Sequence, residues 1–273
     1  MKTILDIILE DTTAEVAAAR SARPVADLRA RCADAPPPRD MVEALRNGFG
    51  FIAEIKERSP SVGPMRAENV RECPAVYRDH GFVRAVSVLT NATHFGMGIE
   101  RILPVRETVA KPVLRKDFLI DEYQVREARA FGADAVLLMA NVLDSSRLRG
   151  FYDLARELGM QALFEVHETD EIAALPEDAI LVGINSRKFK TREGFVGWEG
   201  SSDQDFSLDF GAFALADKLP AGCLKIAESG LTPKNISRFA GKFDAALVGT
   251  SLLRDPRGVE PALNDFQREF ESV

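Results

Sequence analysis

A chain of 273 residues with 42 acidic residues against 35 Lys and Arg carries a formal net charge of −7. That balance gives no global reason to bind nucleic acid or an anionic membrane surface, and no apolar run reaches the roughly 18 residues needed to span a bilayer. Cys32, Cys73 and Cys223 are odd in number and widely spaced, so they read as reduced packing residues rather than a disulfide framework or a zinc site.

The first segment, MKTILDIILEDTTAEV, has one Lys and a short apolar patch with acidic residues directly after it. Leu5, Ile8 and Leu9 fall at helical spacing, which predicts an amphipathic helix over 4–19 rather than a signal peptide. A cytoplasmic protein is expected. Two more helices are predicted around Val25–Arg31 and Met41–Asn47, so residues 1–48 read as an N-terminal helical extension, either a lid over the remainder of the chain or a plug beneath it. The Pro-rich stretch Ala35-Pro36-Pro37-Pro38-Arg39 is a spacer within a single domain of residues 1–273.

Beyond the spacer come eight short apolar runs, most of them with polar or charged residues clustered at their ends. They are FIAEIK (51–56), VRAVSVL (83–89), PVLRKD (112–117), ADAVLLMA (133–140), QALFEV (161–166), ILVGIN (180–185), CLKIAESG (223–230) and DAALVGTS (244–251). Segments of helical period lie between them. In 120–131, Tyr123, Val125 and Ala128 stand among charges before Gly132; in 146–158, Leu148, Phe151, Leu154 and Leu158 form one stripe before Gly159. Thr232-Pro233 reads as an N-cap with Pro next to it at the first helical position. Strand and helix in this rhythm predict parallel pairing and a (β/α)8 barrel, a fold of about 250 residues. A doubly wound open sheet is the structural rival, disfavoured because eight strand–helix units are visible and no Gly-rich dinucleotide turn comes after the first run. The chain stops soon after the eighth unit, so no second fused barrel is expected. One stretch breaks the rhythm: KFKTREGFVGWEGSSDQ (188–204) contains the only Trp, Trp198, and has no clear period. Such a loop is either a functional lid or an insertion whose Trp anchors local packing.

Barrel chemistry sits at the carboxyl ends of the strands, which brings Glu54, Lys56, Lys116, Glu165, Asn185, Arg187, Glu228 and Ser229 to one mouth. Glu54 and Lys56, two apart on a strand, share a face; inside a barrel they form a buried pair, and on an edge strand an exposed salt bridge. Ser59-Pro60-Ser61-Val62-Gly63 suits a flexible loop over a site. Arg115-Lys116-Asp117 are not all expected to be buried, and Lys116 points opposite to its neighbours. A Lys near carboxylates serves as a general acid, and one with depressed pKa as a Schiff-base nucleophile. Glu165 comes after an apolar pair, where desolvation would raise its pKa; its plain reading is a loop carboxylate. Ser229-Gly230 and Gly249-Thr250-Ser251 come after runs seven and eight, whose loops commonly bind phosphate in such barrels.

Taken in order, these residues resemble the indole-3-glycerol phosphate synthase family. The resemblance is carried by Ala53-Glu54-Ile55-Lys56 with Ser59-Pro60-Ser61, Ser87-Val88-Leu89-Thr90, Leu114-Arg115-Lys116-Asp117-Phe118, Gly132-Ala133-Asp134, Glu165-Val166-His167, Gly183-Ile184-Asn185-Ser186-Arg187 and Glu228-Ser229-Gly230. It spans nearly the whole chain. It implies closure of an indole ring on 1-(2-carboxyphenylamino)-1-deoxyribulose 5-phosphate with loss of carbon dioxide and water, without metal or organic cofactor. By that resemblance Lys116 is the general acid at the ribulose C2 oxygen, and Glu165 acts in the later acid/base steps. Lys56 meets the anthranilate carboxylate, with a share in the acid role left open. Glu54 and Asn185 position catalytic groups and substrate hydroxyls, and Arg187 and Glu228 line the site. Ser59, Ser229, Gly230, Gly249 and Thr250 hold phosphate, while Leu89, Phe95, Phe118 and Leu138 wall the aromatic ring. The expected partner is a small phosphorylated substrate, with no nucleic acid and no membrane, and the expected state is a monomer or weak homodimer. The chain departs from the family pattern at Val62 and Lys188, and the stretch from Arg187 to Glu228 is about a dozen residues longer than usual. Two other functions remain rivals: a Schiff-base phosphosugar aldolase using Lys116, and a non-catalytic paralogue that binds a phosphorylated ligand.

Overall fold

The structure, a computed structural model, describes residues 2–187, 190–191, 204–205 and 207–272. Three helices come first, α1 (Ile4–Ala22), α2 (Val25–Asp34) and α3 (Met41–Arg46). The strands β1 (Gly50–Ile55), β2 (Val83–Leu89), β3 (Val113–Lys116), β4 (Ala135–Met139), β5 (Gln161–Val166), β6 (Leu181–Asn185), β7 (Leu224–Glu228) and β8 (Ala245–Val248) form the barrel. Each pairs with its neighbour in sequence, all in parallel, and β8 returns to β1 in the register Gly50↔Ala245 through Ala53↔Val248. Closure removes the edge strands and excludes the open doubly wound sheet. Gly50 is the one barrel-strand residue outside the eight predicted runs.

The surrounding helices are α4 (Ala67–Asp79), α5 (Ala92–Phe95), α6 (Ile102–Thr108), α7 (Glu122–Ala130), α8 (Ser145–Glu157), α9 (Thr169–Ile172), α10 (Pro233–Ile236), α11 (Thr250–Leu253) and α12 (Val259–Glu271). Local signals fix their ends. The Asp144 carboxylate accepts from the Arg147 N–H at the start of α8, and Thr232 with Asn235 forms a capping box ahead of Pro233. The stripe Leu148, Phe151 and Leu154 is buried against the barrel, as are Tyr123, Val125 and Ala128. Strand alternation sorts the core into two layers. Phe51, Ala53, Ile55, Val136, Leu138, Phe164, Val182 and Ile184 face the helices. Ile52, Leu114, Leu137, Leu163, Leu181, Ile226 and Leu247 fill the barrel.

The N-terminal extension supplies both a plug and a cover. At the base, Met41, Val42 and Leu45 of α3 join the interior cluster, and the Met41 and Val42 N–H groups donate to Gln161 Oε1 at 2.6 and 3.1 Å at the start of β5. The Pro-rich spacer is tied down beside them. The Arg39 N–H donates to Asp134 Oδ1 at 2.7 Å, and its guanidinium donates to the Val109 and Lys111 carbonyls. At the mouth, α1 lies against the loop after β2: His94 Nε2 sits 3.0 Å from Asp11 Oδ2, and Thr93 N–H donates to Glu15 at 3.2 Å. Ile4 and Ile8 of α1 join Phe118 and Met139 in the interior cluster. Most of the irregular stretch 188–204, with Lys188 and Trp198, lies outside the described residues. No helix among the described residues is long and apolar enough to cross a membrane.

Asp134 is the base's main acceptor: fully buried, it takes the N–H groups of Arg39 and Val113, both at 2.7 Å, and the Arg106 guanidinium. Replacing it with Ala leaves a buried cation and two amides without their acceptor, so Asp134→Ala is expected to lower stability by about 3–5 kcal/mol. Urea unfolding measures this directly, and a midpoint within error of the parent would show that the base is held elsewhere.

Candidate active site

Toward the carboxyl ends of the strands the inward positions turn from apolar to ionisable. Lys116 Nζ, at the end of β3, donates to Glu165 Oε2 on β5 and to Glu228 Oε2 on β7, both at 2.9 Å. The two glutamates are each 1% exposed. Just past the end of β1, Lys56 pairs through Nζ with Glu54 Oε1, which settles the Glu54–Lys56 pair as interior rather than an exposed edge bridge. A cavity of about 280 Å³ opens above these groups.

The electrostatics give the three groups of the cluster different protonation behaviour. Burial works against the Lys116 ammonium, but Glu165, Glu228 and Glu54 outweigh it and hold the amine well above its ordinary value, so it stays charged. Burial likewise opposes the charge on Glu165, but Lys116 and then His167 overcome it, and this carboxylate stays ionised at about 2. Glu228 goes the other way. Burial, with the like charge of Glu165 added, outweighs Lys116 and pushes its carboxyl up to about 8. Two carboxylates sharing one ammonium in a dry interior cannot both ionise cheaply, and the proton stays on Glu228. Arg187, at the far side of the mouth, is lowered by burial against the pull of Glu54.

Backbone geometry makes room for these long side chains. A Cβ on Gly183 would overlap Glu228 Oε1, and one on Gly249 would come within 2.8 Å of the Glu54 Cβ. The β7 loop is bent through Ser229 and Gly230, with φ of 70° and 72°. A non-glycine residue in the left-handed region stores strain, which clusters at functional loops. Ser186 Oγ donates to the Ser229 carbonyl at 3.1 Å, Asn235 Nδ2 to the Gly230 carbonyl at 3.0 Å and Ser251 Oγ to the Leu231 carbonyl at 2.5 Å. Ser59-Pro60-Ser61-Val62-Gly63 forms a tight hairpin in which Ser59 pairs with Gly63.

The cavity wall brings together Glu54, Lys56, Ser59, Leu89, Phe95, Lys116, Phe118, Glu165, Asn185, Arg187, Glu228, Ser229, Gly230, Gly249 and Thr250. The Phe95 and Phe118 rings stack with centroids 6.3 Å apart. Leu138 is a correction. It points outward among the helix-facing residues, while its neighbours Leu137 and Met139 line the cavity. The strand's period of two puts the middle residue of this triplet on the wrong face. Arg115-Lys116-Asp117 also goes further inward than expected. Arg115 and Asp117 are both buried, paired at 3.0 Å beneath α7, where Arg115 also meets Glu127 at 3.1 Å; only Lys116 keeps 15% of its side chain exposed. Sequence reasoning missed Leu208, Thr232 and Leu247 in the wall. Leu247 was accessible from the alternation of β8. Leu208 was not, because it lies beyond the irregular stretch and reaches the mouth through its bridge with Arg187.

A closed parallel barrel with ionisable side chains gathered at the carboxyl ends of its strands defines a (β/α)8-barrel enzyme. Solved structures share that fold at low identity: 3-keto-L-gulonate-6-phosphate decarboxylase from Vibrio cholerae (TM-score 0.58, 14% identity, 83% of this chain and 99% of that one) and 3-hexulose-6-phosphate synthase from Salmonella typhimurium (0.57, 13%, 82% and 99%). The indole-3-glycerol phosphate synthase family profile matches residues 5–261. Relatives named indole-3-glycerol phosphate synthase include one from Mycobacterium ulcerans, 40% identical over 263 residues, covering 93% of this chain and 91% of that one. Another, from a Nocardioides species, is 41% identical, with 93% and 94% covered. The chain belongs to the indole-3-glycerol phosphate synthase family.

The cluster makes two outcomes testable. A carboxyl raised from 4.5 to about 8 on folding adds stability that is full below pH 4.5 and lost as pH rises through 8. The ionised Glu165 contributes oppositely, above 4.5 and lost as pH falls through 2. The parent should therefore lose stability between pH 5 and 8, while Glu228→Gln, neutral throughout, should show a flatter profile in denaturant titrations; equal slopes would place the proton elsewhere. Gly183→Ala is expected to swing Glu228 off Lys116 and lower kcat about tenfold or more with the fold retained. Parent-like turnover would mean the strand shifts to absorb the methyl.

Proposed function

We propose that the mouth of this barrel converts 1-(2-carboxyphenylamino)-1-deoxyribulose 5-phosphate to indole-3-glycerol phosphate, carbon dioxide and water, as an indole-3-glycerol phosphate synthase of tryptophan biosynthesis. The observation that carries the reading is Lys116, charged and gripped at 2.9 Å by two buried carboxylates. A charged, oriented ammonium is a general acid, suited to protonating the ribulose C2 oxygen as the arene carbon attacks it. Glu165, ionised and beside it, serves the later proton transfers, including departure of the hydroxyl as water. Lys56 meets the anthranilate carboxylate, Glu54 orients it, and Asn185 and Arg187 contact substrate oxygens. Ser59, Ser229, Gly230, Gly249 and Thr250 take the phosphate, with Glu228 lining the same wall. Leu89, Phe95 and Phe118, joined by Leu137 and Met139, enclose the arene. Anchoring the substrate at both charged ends holds the reacting atoms together, which supplies several kcal/mol of the barrier. The chain acts as a single barrel domain, a monomer or weak homodimer in the cytoplasm.

The charge state of Lys116 speaks against a Schiff-base aldolase, whose lysine must be neutral and depressed. A binding-only paralogue is disfavoured because the complete acid/base cluster is kept. Incubation with the carboxyphenylamino-deoxyribulose phosphate should produce the indole absorbance and fluorescence. Lys116→Ala and Glu165→Gln should each lower kcat by about 10² to 10⁴ with circular dichroism unchanged. Tight binding without turnover by the parent would favour the paralogue, and borohydride trapping of an adduct at Lys116 the aldolase.

A further inference from the structure

The proposed reaction, written at neutral pH, consumes a proton: the substrate carboxylate leaves as carbon dioxide, so substrate plus H⁺ gives indole product, carbon dioxide and water. Glu165 is 1% exposed, and Lys116 keeps only 15% of its side chain exposed, on the cavity side that substrate fills. A proton has to reach them from solvent on every turnover while substrate fills the mouth.

His167, the second residue beyond Glu165, stands on the path. Lys116 holds Glu165 Oε2, and His167 Nε2 lies 3.4 Å from the other oxygen, Oε1. On the opposite side of the ring, Nδ1 lies 3.6 Å from Glu171 Oε2. That carboxylate is fixed in turn by the His167 and Glu168 N–H groups, which donate to it at 2.6 and 3.4 Å. Side-chain exposure rises along the line, from 2% at Glu165 to 11% at His167 and 17% at Glu171. His167 and Glu171 line a second, more open groove, separate from the catalytic cavity but sharing Asn185 and Arg187 with it. The charged groups lining that groove are Glu168, Asp170 and Glu171 from the histidine's own segment, Arg187 just beyond β6, and Asp209 and Lys218 at the two ends of the 3₁₀ helix Phe210–Lys218. The other two histidines are elsewhere: His80 caps α4 and His94 pairs with Asp11 on α1.

We propose that His167 is the proton relay that recharges Glu165 from the groove, an assignment that rests on the function proposed above. The imidazole takes a proton at Nδ1 from water or Glu171. It then releases its Nε2 proton to Glu165 Oε1: an N–H bond breaks, a carboxyl O–H forms and no electrons change hands. Rotation of the ring about its Cβ–Cγ bond, with proton exchange at the groove, restores the starting tautomer. Histidine suits the task because its ring carries a nitrogen on each side, one toward Glu165 and one toward the groove. Since it touches Glu165 rather than substrate, it is a positioning and relay residue.

The experiment compares the parent, His167→Ala and His167→Gln for kcat, KM, pH profile and solvent isotope effect, with thermal unfolding to confirm folding. Gln keeps a polar atom near the place of Nε2 but cannot relay a proton. Both variants should lose kcat about tenfold or more with KM within about twofold, and added imidazole should restore the rate of the Ala variant. A Gln variant with kcat within about twofold of the parent would show that His167 only props Glu165 and would overturn the relay. Absence of imidazole rescue would do the same. If Ala does not fold, the Gln comparison decides alone. No turnover by the parent would overturn the function itself, and the relay with it, whereas an active parent with a normal Gln variant overturns the relay alone.

Discussion

Everything at the mouth is arranged around one ammonium shared by buried carboxylates. The odd strands each send one ionisable side chain inward near the top: Glu54 from β1, Lys116 from β3, Glu165 from β5 and Glu228 from β7. Layers built from alternate strands are the rule in such barrels, normally with branched apolar residues. Here the layer is charged, and Lys56 adds a second cation against Glu54. Three acids face two lysines, so one negative charge is left over in a low dielectric. Protonating Glu228 removes it. Burying ions is costly unless each is paired and hydrogen-bonded, and removing one partner from such a set is worse than never having built it. The strand register that brings β3, β5 and β7 to the same height is therefore also the condition for acid/base chemistry.

Such a layer is tolerable only if the rest of the barrel stays rigid. The base meets that need with Asp134, which ties the Pro-rich spacer, the start of β3 and Arg106 to one carboxylate. α3 seals the interior below it, and α1 covers part of the interior from above through Ile4 and Ile8. The extension left open in the sequence as lid or plug does both, because its two ends fasten to opposite ends of the strands. Asp11, Glu15 and Thr12 address the loop after β2, whereas Arg39 and Met41 address the starts of β4 and β5.

The fold was legible because its signals are local and repeated. A buried parallel strand reads as a short apolar run, and eight of them with helical segments between leave few topologies. Most of the cavity wall was legible too, since strand-end residues such as Lys116, Glu165 and Glu228 stand out as charges after apolar runs. Leu138 shows where run-level reading fails. Leu137, Leu138 and Met139 are all apolar, so only the register against Lys116 and Glu165 tells which of them face the interior. Burial of Arg115 with Asp117 was illegible for a different reason. It depends on Thr90, just after β2, and on Gln124 and Glu127 of α7, partners from two other places in the chain that hydrogen-bond the pair or neutralise it.

The even strands hold the counterpart of the charged layer, and it is made of absence. Where β1 and β7 extend Glu54 and Glu228 across the barrel, β8 and β6 offer Gly249 and Gly183. An interior packed to ordinary density has no spare volume for two glutamates reaching sideways to lysines, so the space has to be taken from a neighbour's side chain. Glycine within or at the end of a strand weakens it by leaving nothing to pack, and here the vacated volume is filled by a carboxylate from the adjacent strand. Charge and void are thus one device. A barrel carrying the four ionisable residues but bulky side chains at 183 and 249 would turn its glutamates away from Lys116 and Lys56. These two glycines therefore belong to the chemistry of the mouth as much as the residues that carry its protons.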